Sequence, residues 1–528
     1  MSNHAYESAA ALRPSSNGPI PISTLSERFS LAPASAEDSA ALNDLSILGV
    51  SVDSADTAPG ELFVGLPGFT VHGARFAAQA VASGAVAVLT DADGAQIVHE
   101  SAPGTPVLVH DDPRAVVGPL SAEVYHHPAR GLVTTAVTGT NGKTTTAYFL
   151  DAILSAHVGG CMVAGTVELR VGERSVESPR TTVEAPVLQR MMALAVEDKV
   201  GAASLEASSH AIVLHRLDGI VVDVAGFTNL QRDHLDFHKT MEGYLEAKAQ
   251  LFTPEHARRG VVCVDDQWGA ALAAEAPIEI DRVRAYPGDT PADWWVSDAA
   301  VSLTDSATTF TLHGPDGEQI EASCPLPGLV NVQNAALALV MAIRAGVPAA
   351  TATAALAGAH NIPGRMQRIS QRDGRRGLCI VDFAHTPDAM ELALKAVRPI
   401  TPGRLIVVFG SDGDRDQGKR PMLGEVCARL ADVLVVTDEN PRSEDPQLIR
   451  NAILEGVRGV RPDLTDVEEI TTWRGDAVRR GVELCGPDDT VIVTGKGHEP
   501  FLEMAGEFIR YNDAPVMAEA VEKKWGRA

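Results

Sequence analysis

The stretch "GLVTTAVTGTNGKTTTAYFLDAIL", residues 131–154, confines the fold more than any other feature of the chain. It opens with a β-branched run of buried-strand type and closes with helix-forming residues. Between them, Gly139 and Gly142 let the backbone turn so that successive N–H groups face one anion. The positive end of the following helix adds to that field. Strand, glycine turn and helix in this order belong to a parallel α/β sheet. The loop is two residues shorter than G-x-x-x-x-G-K-[ST], with Val137 where the longer pattern has glycine. Gly139, Thr140, Asn141, Gly142, Lys143, Thr144 and Thr145 form the candidate phosphate site. Lys143 is placed to reach the outer phosphates, and the Thr144 hydroxyl to sit on a magnesium ion.

A chain of 528 residues exceeds one hydrophobic core, so several domains are expected. Residues 1–24, rich in Ser and Pro, read as a flexible leader without a secretory signal. Residues 25–130 hold short strands and an Ala-rich helix at 74–83, and residues 131–360 hold the phosphate loop and further strands. After the Pro-Gly break in "HNIPGRMQRI", residues 361–528 alternate strands with helices, which predicts an open, mostly parallel sheet. Ligands of such sheets bind beyond the carboxyl ends of the strands. Asp382 and His385, Asp412 to Arg415, Asp438 to Arg442 and Gly495 to Glu499 all fall there.

Composition narrows the function. A net charge of −25 argues against a nucleic-acid partner, which needs a dense cationic face. An anionic substrate must therefore be gripped by local positive groups. No apolar run is long enough to span a bilayer, so membrane insertion is not expected. The six cysteines are scattered without a C-x-x-C, which fits reduced thiols in the cytoplasm and no structural zinc. Glu206 closes a strand, and His234 stands beside Asp233 and Asp236 in "RDHLDFH". Both are candidates to hold divalent metal near the phosphates.

The ordered set "TGTNGKTTT", "LEASSH", "TNLQRDHLDFH", "YLEAKAQLF", "GLVNVQNAALA", "IPGRM", "VDFAHTPDAM", "GSDGDRDQGKRP", "TDENPRSEDP" and "GKGHE" resembles the Mur ligases, from about residue 50 to the end. The resemblance implies an α/β fold of three domains, with a central P-loop ATPase-like domain and a C-terminal Rossmann-like open sheet. It also implies an ATP-driven amide ligase of peptidoglycan precursor assembly, working as a cytoplasmic monomer on small molecules. Among family members, this chain looks like those that join meso-diaminopimelate to UDP-N-acetylmuramoyl-L-alanyl-D-glutamate.

What the family implies about residues is carried over position by position. Lys143, Glu206, His234 and Lys248 would be catalytic. Lys248 would be carbamylated by carbon dioxide, and the carbamate would join Thr144, Glu206 and His234 around metal. Asn331, in "NVQNAA" with Asn334, and Arg365, Asp382 and His385 would lie on the ATP side, with a hinge near residues 360–363 closing the last domain. Ser54, Thr181, Thr182, Ser208 and Arg216 would hold the UDP-linked substrate, although Ala55 and Leu214 depart from the usual arginine and glutamine. Arg415, Glu439, Asn440, Pro441, Arg442, Gly495 and Glu499 would hold diaminopimelate. A guanidinium at 442 suits the far carboxylate that lysine lacks. Competing readings are a lysine-adding sister, a folylpolyglutamate synthetase, or a nucleotide-dependent regulatory protein. Bland roles stay open too: a helix start for Asn331, an interdomain ion pair for Arg365 and a solvated loop for Arg415.

Overall fold

The computed structural model describes residues 9–302, 307–359 and 362–526. The chain divides into two compact units: one holds the described residues up to Arg284 with 288–294 and 337–355, the other holds 285–287, 295–336 and the residues from Leu356 onward.

Besides a two-stranded ladder, the first unit contains two sheets. In the smaller, the strands run in the order Ala32–Pro33, Val107–Val109, Ala87–Thr90, Glu61–Val64, Gly49–Ser51, parallel except for the first pair. Leu62, Val64, Leu89 and Leu108 alternate into a core shared with Leu25 and Leu120. The larger sheet places Cys161–Ala164, Ala202–Glu206, Val133–Thr138, Val222–Phe227, Ala257–Cys263 and Glu279–Arg284 side by side, all parallel. The strand Val133–Thr138 therefore lies between Ala202–Glu206 and Val222–Phe227. Three carboxyl-terminal loops open at one sheet edge: the glycine loop, the segment after Glu206 and the segment from Thr228.

Residues 9–24 depart from the flexible leader expected of them. Leu12 is fully buried in the core of the larger sheet. Arg13 pairs with Asp56 and Glu61, Arg190 donates to the Ala9 carbonyl at 2.8 Å, and Ile20 pairs with Ile47 in a short antiparallel ladder. Composition suggested a tail, but one leucine and one arginine with distant partners dock it. Residues 1–8, and positions 360 and 361 of the expected hinge, lie outside the described residues.

The second unit carries the antiparallel strands Trp294–Val301, Thr308–His313 and Gln319–Cys324. It also carries a six-stranded sheet ordered Gln367–Ser370, Leu378–Val381, Thr490–Val493, Leu405–Phe409, Val433–Val436, Val467–Glu469. All pairs but the first are parallel, as the β-α alternation requires. Inserting the last strand, Thr490–Val493, between the second and third opens a crevice at the carboxyl ends. The segments 382–385, 410–415, 437–442 and 494–499 all begin there.

Candidate active site

The glycine loop is shaped from beneath. Gly139 has φ of 142°, and a Cβ there would come 1.9 Å from Thr228 Oγ1, so only glycine fits. The loop is held by the neighbouring strand end: Thr140 N donates to Asn229 O at 2.9 Å and Asn141 N to Asn229 Oδ1 at 3.1 Å. Asn141 Nδ2 donates to Gln231 Oε1 at 2.7 Å. Gly142, at φ 88°, is the N-cap of the helix Lys143–Val158, whose first turn includes buried Thr144 and Thr145. Lys143 Nζ folds back on the carbonyls of Gly139 and Thr140, both at 2.9 Å.

Acid and base groups converge beside this loop. Thr144 donates to Glu206 Oε2 at 2.9 Å, and Glu206 Oε1 accepts the backbone N–H of Thr166 at 2.8 Å. Lys248, on the helix Met241–Ala249, is 1% exposed and donates to Gly139 O at 2.9 Å, with its ammonium 4.4 Å from the Tyr244 ring centre. Burial first, and the charge of Lys143 second, hold its amine well below the usual lysine value. His234 sits at the N-cap of the short helix Leu235–His238, with its ring 4.9 Å from that of His210. Burial is the first cause that lowers its pKa. Among the described residues, no three His, Cys, Asp or Glu side chains gather for a metal. A magnesium ion needs one or two protein ligands and takes the rest from phosphate and water, so the Thr144–Glu206 pair fits it.

Thr182, Ser208 and Arg216 are brought to the same edge. The Thr182 hydroxyl donates to Glu206 O at 2.7 Å and accepts from Ser208 N at 3.0 Å. Ser208 caps the helix Ser209–Val213. Arg216 donates to Thr182 O at 3.1 Å and pairs with Glu184 at 3.0 Å, and its buried Nε has no partner. Thr181 accepts from Thr166 Oγ1 at 3.2 Å. Ser54 belongs to the smaller sheet, buried in the loop after Gly49–Ser51, where it donates to Gln79 Oε1 at 3.0 Å. Thr166, Asn229, Gln231 and Tyr244, which carry much of this arrangement, were not singled out from sequence. Thr166 in particular contacts Glu206 across 40 residues, and no spacing rule reveals that contact.

In the second unit, Asn331 is buried and donates to Pro327 O at 2.8 Å, which is the helix-start role left open above. Arg365 lies 4.4 Å over the Phe383 ring, whose centre is 4.6 Å from that of the His385 ring. Asp382 accepts the N–H groups of Met366 and Ala384 at 2.8 and 2.9 Å. The structure thus gathers Arg365, Asp382 and His385 around one phenylalanine.

At the carboxyl ends of the six-stranded sheet, buried polar atoms lack partners: Ser411 Oγ, Asp412 Oδ1, Thr437 Oγ1, Glu439 Oε2 and Arg442 Nε. Such atoms are rare in folded proteins, and a cluster of them is what a water, an ion or a polar ligand would satisfy. Arg442, in the left-handed region at φ 54°, faces Glu503 at 3.2 Å and Asp412 at 3.7 Å. It precedes the helix Pro446–Val460, N-capped by Asp445 as the sequence suggests. Gly495 has φ 107°, and a Cβ there would meet Glu439 Oε2 at 2.6 Å. Asn440 Nδ2 donates to Glu499 Oε2 at 3.0 Å. Pro441 is buried beneath this loop, its carbonyl against Gly413, while Arg415 stands exposed on the neighbouring loop. Beneath, Arg474 and Asp513 form a fully buried ion pair at 2.8 Å, and Arg474 also donates to the carbonyls of Asp438 and Thr494.

Residues 137–342 match the Mur ligase middle domain, 364–497 the Mur ligase glutamate ligase domain, and 46–125 the Mur ligase family catalytic domain. A UDP-N-acetylmuramoyl-L-alanyl-D-glutamate–2,6-diaminopimelate ligase of Streptomyces coelicolor is 43% identical over 480 residues, covering 91% of this chain and 93% of that one. A UDP-N-acetylmuramyl-tripeptide synthetase of Leifsonia xyli is 42% identical over 89% of this chain and 91% of its own. A solved structure of a UDP-N-acetylmuramoyl-L-alanyl-D-glutamate–2,6-diaminopimelate ligase superposes with a TM-score of 0.63 at 31% identity, covering 90% and 95% of the two chains. With three family domains matched in series and a relative 43% identical over 91% of its length, the chain belongs to the Mur ligase family.

Proposed function

We propose that this chain is the ATP-dependent ligase that joins meso-2,6-diaminopimelate to the D-glutamate γ-carboxylate of UDP-N-acetylmuramoyl-L-alanyl-D-glutamate. The observation that carries the choice of amino acid is Arg442, whose guanidinium Nε is buried and unpartnered beside the carboxylates of Asp412 and Glu503. Lysine has no distal carboxylate to bind there. Glu499 supplies the opposite charge for an ammonium, and Arg415 offers a second cation for carboxylate from its exposed loop. A folylpolyglutamate synthetase has no use for the N-terminal family domain matched at residues 46–125.

The γ-carboxylate oxygen attacks the γ-phosphorus of ATP, forming an acyl phosphate as the bond to ADP breaks. The free amine of diaminopimelate then attacks the acyl carbon, inorganic phosphate leaves, and the amine loses its proton. The protein's part is alignment and charge neutralisation. Backbone N–H groups of the 139–145 loop and Lys143 cradle the phosphates. Thr182, Ser208 and Arg216 hold the muramoyl dipeptide beside Glu206, and Ser54 the uridine end. Asn331, Arg365, Asp382 and His385 serve the nucleotide. Thr144 and Glu206 would hold a magnesium ion, with His234 a candidate for a second, and the metal would supply positive charge against the phosphate oxygens.

Lys248 is read as a carbamate. Its buried, depressed amine is the neutral nucleophile that carbon dioxide requires, and carbamylation would place an anion beside Lys143. We take the enzyme to act as a cytoplasmic monomer; no helix among the described residues is long and apolar enough to cross a membrane.

The deciding assay supplies ATP and UDP-N-acetylmuramoyl-L-alanyl-D-glutamate with either diaminopimelate or lysine, and follows phosphate release. Diaminopimelate is consumed and lysine used poorly; equal turnover of the two overturns the specificity. The tripeptide synthetase of Leifsonia xyli, whose name leaves the added amino acid open, makes this comparison necessary.

A further inference from the structure

The crevice contains a lysine to which the reading above gives no role. Lys496 follows Gly495 beyond the strand Thr490–Val493, and its side chain is 0% exposed. An ammonium has three protons, and three acceptors meet it: Asn440 Oδ1 at 2.8 Å, Glu499 Oε2 at 3.0 Å and Phe501 O at 2.6 Å. The tripod has two consequences. A lysine can only donate, so the Asn440 amide must turn Oδ1 toward it, where the N–H of Glu503 donates as well, at 3.2 Å. Asn440 Nδ2 is then forced to face Glu499, and it donates to Oε2 at 3.0 Å. Glu499 Oε2 thus takes two donors, while Oε1 accepts from no donor among the described residues and the side chain stays about a third exposed.

We propose that Lys496 is the positioning residue of the amino-acid crevice, orienting Asn440 and Glu499 so that Glu499 Oε1 alone receives the substrate's ammonium. The proposal rests on the amino-acid-binding reading of this crevice. A buried ammonium is tolerated only when its partners are fixed and charged. The requirement runs both ways: without Lys496, Glu499 loses the charge that holds it in place and the Asn440 amide is oriented by the Glu503 N–H without the ammonium. A lysine serving only to pin the turn at Phe501 would instead affect folding and leave recognition of the amino acid alone.

The test is the Lys496→Met variant of the full chain, assayed with each substrate in turn. The expected result is a KM for meso-diaminopimelate at least tenfold higher, with KM values for ATP and the UDP-dipeptide within twofold of wild type. In a Glu499→Gln background the same change adds less than threefold, because the lysine acts through that carboxylate. A KM for diaminopimelate within threefold of wild type, or effects that simply multiply in the double variant, overturns the proposal. Should Lys496→Met not fold, a crystal structure of the wild-type enzyme with diaminopimelate decides. Oε1 on the substrate ammonium with the tripod intact supports the proposal, and Lys496 Nζ on a substrate carboxylate refutes it. Wild-type turnover is a separate readout: use of lysine in place of diaminopimelate refutes the specificity reading, and the same KM ratio measured with lysine then decides the role of Lys496.

Discussion

Glu439 offers a direct check on the electrostatics of the crevice. The side chain is 3% exposed and its Oε2 has no hydrogen-bond partner. Burial first, and the neighbouring Asp412 carboxylate second, push its carboxyl up to about 8. Between the ordinary glutamate value and that figure, the folded chain keeps the proton and the unfolded chain releases it. This contribution to stability is therefore fully present below the ordinary value and is lost as pH rises through about 8. At 1.36 kcal/mol per pH unit, the full loss is about 5 kcal/mol, of which about 3 kcal/mol falls between about pH 6 and pH 8.5. The substitution Glu439→Gln keeps the shape and removes the titration. At roughly 2–4 °C per kcal/mol for a unit of this size, the variant should gain roughly 6–12 °C in Tm over wild type on going from about pH 6 to about pH 8.5. Thermal unfolding of both proteins at the two pH values measures it. Wild-type and variant curves that run parallel with pH would show Glu439 to be ionised throughout, and the desolvation argument would fail.

Other perturbations probe the remaining parts. Gly139→Ala places a methyl group 1.9 Å from Thr228 Oγ1 at an unfavourable φ, so ATP affinity measured by calorimetry should fall at least tenfold; unchanged affinity would show that the loop is not the phosphate site. Arg442→Ala should raise the KM for diaminopimelate by one to two orders of magnitude (about 1.5–3 kcal/mol for a charge-assisted contact) while ATP binding holds; a fall in ATP affinity instead would misplace the crevice. Removing bicarbonate and carbon dioxide should suppress turnover, and adding bicarbonate should restore it; indifference to both would rule out a carbamate on Lys248. Arg474→Met leaves Asp513 buried without its partner and should cost about 3–5 kcal/mol in urea unfolding, and a cost below about 1 kcal/mol would contradict the ion pair.

The features legible in the sequence were those written in local order. The β-branched run before Gly139 and the helix after Gly142 announce themselves within 20 residues, and the observed strand Val133–Thr138 and helix Lys143–Val158 follow that reading. Asp445 and Pro446 likewise state their helix start. The placement of Asp382, Asp412, Glu439 and Gly495 just after strands predicted a shared crevice, because parallel strands bring their carboxyl ends to one edge. What escaped depends on partners distant in sequence. Thr166 beneath Glu206, Asn229 and Gln231 beneath the loop, and the tripod of Lys496 are ordinary residues until the sheet order puts them in contact. Burial was also hidden: nothing in "YLEAKAQLF" distinguishes a lysine 1% exposed from one in solvent.

The docked segment near the start of the chain bears on how the first unit is held. Leu12 enters the core of the larger sheet, Arg13 reaches Glu61 on the smaller sheet and Asp56 in the loop before it, and Ser15 binds Glu197 at the end of the helix Ala185–Glu197. Within a few residues the backbone stitches both sheets, and Arg190 adds a second stitch through Asp56 at 2.9 Å. Truncation past Arg13 would therefore cut one fastening and leave the Asp56–Arg190 pair to hold the loop that carries Ser54.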